Sequence, residues 1–133
     1  MENFKTMTKE EYVKLNNGQL EGFYITINCN YIQTWEQLAE ALGNAFQFPM
    51  RNEGFDATWD WMTDFSWSEI VNKSTITIYF NESRELFKSN SKLKAKVFDF
   101  FERIIDHWKD ASNLGFINGK PGVTKDIVIY LVD

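Results

Sequence analysis

Cysteine and histidine each occur once in the 133 residues, as Cys29 and His107. A lone thiol excludes an intrachain disulfide and makes the reducing cytoplasm the expected compartment. The two together fall short of the roughly four ligands of a Cys/His zinc site. Basic residues are in deficit, with 14 Lys plus Arg against 19 Asp plus Glu and a formal net charge of −5. That balance argues against nucleic acid or an anionic membrane as partner, since either repels an acidic protein at long range. No apolar run reaches the roughly 18 residues of a membrane span. The charged stretch from Met1 to Lys14 lacks the apolar core of a secretory signal. A Gly-rich phosphate loop and a recognisable nucleophile motif are missing too.

What is present is enough for a core. The hydrophobic fraction is 44%, with 12 Phe, 5 Tyr and 5 Trp, and the length suits one domain over 1–133. Periodicity gives alternating helices and strands without an internal repeat. Thr8 and Glu11 have capping-box spacing, and a short leading helix is expected to end near Asn16-Asn17-Gly18. A first strand is read at Phe23–Cys29, rich in β-branched and aromatic residues. Thr34 and Gln37 offer a second capping box, opening a helix to about Phe46, and Pro49 places a loop over 48–52. A helix is expected over 54–64, a strand over 74–80, a short helix over 82–88, and the longest helix from Ser91 to about Ala111. Asn118-Gly119-Lys120-Pro121-Gly122 reads as an exposed turn. The closing strand, Ile127 to Val132, is apolar throughout, as a strand buried on both faces should be. The fold class is therefore α/β, a small three-stranded parallel sheet with flanking helices.

The negative charge is local. Residues 52–69 hold Glu53, Asp56, Asp60, Asp64 and Glu69 and no Lys or Arg, so the other 14 acids match the 14 bases outside the window. Asp56, Asp60 and Asp64 recur every four residues and form one stripe on a helix, with Glu53 about a turn earlier. Phe55, Trp59 and Met62 lie on an adjacent arc, suited to packing on the body of the domain. Like charges four apart cost a helix a few tenths of a kcal/mol per pair, so folding alone gives no reason for this stripe. Trp59, Trp61 and Trp67 fall in the same window. Acid and aromatic together suggest a surface for contact. A solvated acidic face and buried tryptophans are the plain alternative. One exposed stripe is also a poor divalent-metal site, which usually draws its oxygens from a shaped loop.

These residues carry a family resemblance. Phe55-Asp56-Ala57-Thr58-Trp59-Asp60-Trp61-Met62-Thr63 resembles the Leu-Asp-Ala-Leu-Trp-Asp-x-Leu-Thr signature of the barstar family, intracellular inhibitors of the secreted ribonuclease barnase. The order of elements over residues 22–133 is similar as well, with 1–21 an N-terminal extension and 113–125 an added loop. The resemblance implies a helix and preceding loop that plug a ribonuclease active site. In that role Asp60 is the central carboxylate, standing in for a substrate phosphate among Arg, Lys and His groups. Asp56 is a second acidic contact, Trp59 an aromatic contact at the edge and Thr63 a polar contact at the helix exit. The family's aromatic, Gly-rich loop is replaced here by Met50-Arg51-Asn52-Glu53-Gly54, and Trp61 and Asp64 are bulkier and more acidic than the family equivalents. A further family acid on the last helix has two candidates, Glu102 and Asp106. The expected partner-binding set is Met50, Arg51, Glu53, Asp56, Trp59, Asp60, Thr63 and Asp64.

A carboxylate on a rigid helix can accept several charge-assisted hydrogen bonds, and a local negative field speeds encounter with a basic enzyme. The barnase–barstar pair is itself the reference case for such steering and for interface hot spots. The expected partner is a basic ribonuclease or nuclease toxin, bound by a cofactor-free chain that is a monomer when free. Two other classes stay open. An adaptor domain would use the same surface without inhibition. A hydrolase would use the paired carboxylates Asp56 and Asp60, at the roughly 5–10 Å spacing such chemistry needs. No histidine neighbours the acidic window in sequence. His107, Cys29 and the lysines Lys92, Lys94 and Lys96 read as structural or solvated residues.

Overall fold

The computed structural model of the chain describes residues 4–16, 22–50, 54–110, 116–117, 120–121 and 124–133. Its centre is a parallel sheet built from β1 (Phe4–Met7), β2 (Phe23–Asn28), β3 (Thr75–Asn81) and β6 (Asp126–Val132), in the order β1-β6-β3-β2. The helices are α1 (Lys9–Asn16), α2 (Trp35–Phe46), α3 (Phe55–Met62) and α4 (Ser91–Lys109). A short antiparallel pair, β4 (Phe116–Ile117) and β5 (Lys120–Pro121), flanks the expected turn, whose Asn118, Gly119 and Gly122 lie outside the described residues. The chain is thus α/β with a parallel sheet, as expected. It has four strands, not three.

The additional strand explains itself only in three dimensions. β1 is four residues long, and Phe4 is its one core side chain, paired in register with Ile129. So short an edge strand leaves almost no alternation to detect. The leading helix does begin where the capping box predicts, since Glu11 donates its N–H to Thr8 Oγ1 at 3.1 Å.

Strand alternation sorts the core. Ile25 and Ile27, Ile76, Ile78 and Phe80, and Ile127 and Ile129 are buried under α2 and α4, which contribute Leu38, Leu42, Val97, Phe101, Ile104 and Ile105. The opposite face bears Thr26, Tyr79 and Tyr130, and α1 lies against it through Tyr12, whose ring meets Tyr79 at 5.1 Å. That cover is partial. Val128, Tyr130 and Leu131 are half-buried, so the closing strand is not buried throughout on both faces.

Two smaller boundaries also differ. Cys29 opens a 3-10 turn (Cys29–Tyr31) just past β2, and the segment expected to be a helix over 82–88 is a 3-10 turn at Ser83–Glu85 followed by irregular turns. A further 3-10 segment, Ser68–Asn72, links α3 to β3. The start of α2 is as expected: Gln37 donates its N–H to Thr34 Oγ1 at 3.2 Å, and Gln37 Oε1 accepts from Thr34 N at 3.0 Å.

Candidate functional site

The site is built on α3, a helix that begins without a side-chain cap at Gly54. Its first turn is secured instead by Phe55, which stacks on Trp35 with ring centroids 3.7 Å apart, and by Thr58 Oγ1 donating to Gly54 O at 2.7 Å. Thr58 and Met62 are fully buried, which fixes the inner face of the helix. The exit is held from α4, where the Trp108 indole Nε1 donates to Met62 O at 2.7 Å. Lys125 braces that tryptophan. Its buried ammonium lies 5.5 Å from the Trp108 ring and donates to Ile70 O, Val71 O and Lys73 O.

With the inner face locked, the outer face carries Asp56 and Asp60, both exposed, and neither forms an ion pair among the described residues. The helix ends at Met62, earlier than expected. Asp64 therefore stands in the turn beyond it, exposed, with its carboxylate accepting from Ser66 Oγ at 2.7 Å. Thr63 is half-buried and donates its Oγ1 to Trp59 O at 2.7 Å, so its hydroxyl already closes the helix.

The helix forms a ridge between two depressions. One, of about 600 Å³, is lined by Met50, Ala57, Asp60, Trp61, Thr63 and Asp64. The other, of about 450 Å³, runs between α3 and α4 and contains Asp56 and Trp59 with Lys96, Asp99, Phe100 and Arg103. The structure thus brings together Met50, Asp60, Thr63 and Asp64 on one side and Asp56 and Trp59 on the other. Arg51 and Glu53 lie outside the described residues. The tryptophans divide their roles between packing and rim. Trp61 and Trp67 are half-buried and pack with Phe48, and Trp59 meets Phe100 edge-on at 6.1 Å.

Neither Glu102 nor Asp106 lines the groove between α3 and α4. Glu102 is four residues on from Phe98, which packs on Phe4, and so faces the β1 side of α4. Asp106 follows Asp99 by two turns and stays exposed on the flank nearer α3. Sequence reading also missed the residues of α4 that do reach the site. Lys96, Asp99, Arg103 and His107 follow one another at spacings of three or four beside the core stripe, and that spacing is the signal that marks them as one flank.

His107 corrects an expectation. Distant from the acidic window in sequence, it adjoins it in space, with its ring 6.0 Å from that of Trp59 and hydrogen-bonded to the Thr63 backbone. Burial pushes its pKa below the usual 6.5, and the Thr63 hydrogen bond acts the other way. Cys29 is fully buried, and that burial drives its thiol up to about 12. A thiol so held is no nucleophile.

A comparison with protein-family models matches Barstar (barnase inhibitor) over residues 23–117. Searches of curated proteins and of solved structures find no significant match. The matched span runs from β2 through β4 and includes both depressions and all of the acidic ridge.

Proposed function

The chain belongs to the barstar family, described as barnase inhibitors, and from this we propose that it is a stoichiometric inhibitor that plugs the active site of a ribonuclease or nuclease toxin with α3. The observation that carries the reading is the pair of exposed carboxylates, Asp56 and Asp60, unpaired among the described residues, on a helix whose other face is locked to the core. A ribonuclease must gather Arg, Lys and His groups around a phosphodiester. A carboxylate presented to that cluster accepts the same charge-assisted hydrogen bonds. Because the helix is fixed before binding, little ordering cost opposes association.

The roles follow from position. Asp60 is the phosphate mimic at the centre, with Asp56 and Asp64 extending the negative field along the ridge. Met50 is 70% exposed and offers an apolar knob beside Asp60. Trp59 presents a fixed ring edge, and Thr63 is assigned to the exit of the helix, with its hydroxyl turned back to the backbone. Arg51 and Glu53, which precede Gly54 in the sequence, complete the set. The partner is a basic enzyme, and the inhibitor acts in the cytoplasm as a cofactor-free monomer. The hydrolase alternative gains no support from the positions of Asp56 and Asp60, which line different depressions.

Titrating the purified chain into barnase, and into related ribonucleases, while following RNA cleavage is the direct test. Activity should fall linearly to zero at one equivalent. Asp60→Ala should weaken inhibition by about 30-fold or more, the scale of an interface hot spot, and added salt should slow its onset. Tight binding that leaves RNA cleavage intact would identify an adaptor. Turnover of a substrate by the isolated chain, stopped by Asp56→Asn, would identify an enzyme.

A further inference from the structure

The groove between α3 and α4 differs from the ridge it borders. Its floor is aromatic, with Phe100 only 9% exposed and meeting Phe55 edge-on at 5.7 Å and Trp59 edge-on at 6.1 Å. Its α4 wall carries charge of both signs. Arg103 is paired through Nε with Asp99 at 3.0 Å. Lys96 forms no ion pair among the described residues, and its ammonium stands over the Phe55 ring, 4.5 Å from the centroid. Asp56 lines the same groove without pairing to it.

A lysine usually spreads its charge over many rotamers. Here the cation–π contact biases the ammonium toward the Phe55 ring, with its N–H groups unused by any carboxylate among the described residues. The acidic ridge demands a partner with positive charge. A partner that is basic over its whole rim would bring like charge onto Lys96, which costs affinity in any interface of low dielectric. A partner with a carboxylate at that point of its rim would instead gain a charge-assisted contact to a cation already biased toward the groove.

We propose that Lys96 determines specificity by receiving a carboxylate from the rim of the partner's basic cleft, so that the chain rejects ribonucleases whose rim is basic throughout. The proposal rests on the inhibitor reading given above. It assigns the groove a partner surface of mixed sign, basic opposite Asp60 and acidic opposite Lys96.

The test is a displayed library of barnase, randomised at the surface positions bordering its active site and selected for binding to the intact chain. Four baits are used: the unaltered chain, Lys96→Glu, Lys96→Met and Asp60→Ala, each checked for an unchanged melting transition. The unaltered chain should enrich Asp or Glu at one rim position by about tenfold or more. Lys96→Glu should enrich Lys or Arg at that same position. Lys96→Met, which keeps an apolar cover on Phe55, should show neither preference. Identical rim residues from the unaltered and Lys96→Glu baits would overturn the proposal. The inhibitor reading fails separately, if Asp60→Ala selects binders as well as the unaltered chain does.

Discussion

Trp108 sets the end of the acidic helix although it lies 46 residues away from the carbonyl it binds. Its neighbour His107 couples the same place to pH. Burial, the larger influence, lowers the His107 pKa below 6.5, while the Thr63 hydrogen bond partly opposes it. When the folded value lies below the unfolded one, the unfolded state takes up the proton first as pH falls. Stability from this residue is therefore complete above 6.5 and declines as pH drops through the window below it. His107→Gln should remove that part of the decline. Thermal melts at about pH 8 and about pH 5.5 measure it, and the variant should show the smaller difference. Lys125 is a buried cation whose pKa is also lowered by burial, while its three carbonyl partners favour the charged form. Nothing in the local sequence around His107 or Lys125 announces these contacts, because their partners lie on other elements.

α3 has only eight residues, and in isolation a helix of that length is marginal. It also carries like charges four apart, which cost a few tenths of a kcal/mol. Its stability is borrowed from Trp35, Phe100 and Trp108, whereas α2 has its own reciprocal cap in Thr34 and Gln37. The weak point is Gly54, an N-cap with no side chain to accept a hydrogen bond. Its φ of 175° is extended backbone that any residue adopts, and an added Cβ meets nothing within 4 Å. Gly54→Asp should therefore stabilise the protein by about 0.5–1 kcal/mol, through capping, the helix dipole and a less flexible unfolded chain. Urea denaturation would show this as a higher midpoint at unchanged slope. The helix itself was legible from the spacing of Phe55, Trp59 and Met62. Its early end at Met62 was not, because the Met62 carbonyl is taken by the indole of Trp108, 46 residues away.

At the level of the molecule, the matched span begins at residue 23, yet the sheet begins at Phe4. β1 closes the edge of the sheet opposite β2, and α1 covers part of the outer face through Tyr12, which meets Tyr79 of β3 and hydrogen-bonds Thr26 of β2. Phe4 packs its ring 5.0 Å from Phe98 and is 9% exposed. Phe4→Ala should cost about 3 kcal/mol, the low end of the range for an aromatic removed from a core, since Phe4 stands on an edge strand. Ribonuclease inhibition at a temperature where the variant is folded should be unchanged, since the Phe4 ring packs on Phe98 of α4 and lines neither depression beside α3. Loss of inhibition without loss of stability would show that the N-terminal segment contributes to the interface directly.

The sequence by itself determined the elements and the charge. The caps at Thr8 and Thr34, the apolar runs of β2, β3 and β6, the stripe of α4 and the acidic window all depend on residues within about four positions of one another, which periodicity can detect. Confining the charge of −5 to residues 52–69 located the acidic window, and the family resemblance of Phe55 to Thr63 is what picked Asp60 out within it. Only the tertiary structure decided what surrounds that carboxylate. It placed His107 against Trp59, turned Trp61 and Trp67 into packing, added β1 to the sheet and set Lys96 beside the ridge. Each of these is a contact between elements far apart in the chain, made by burial and crossing geometry that no local pattern encodes.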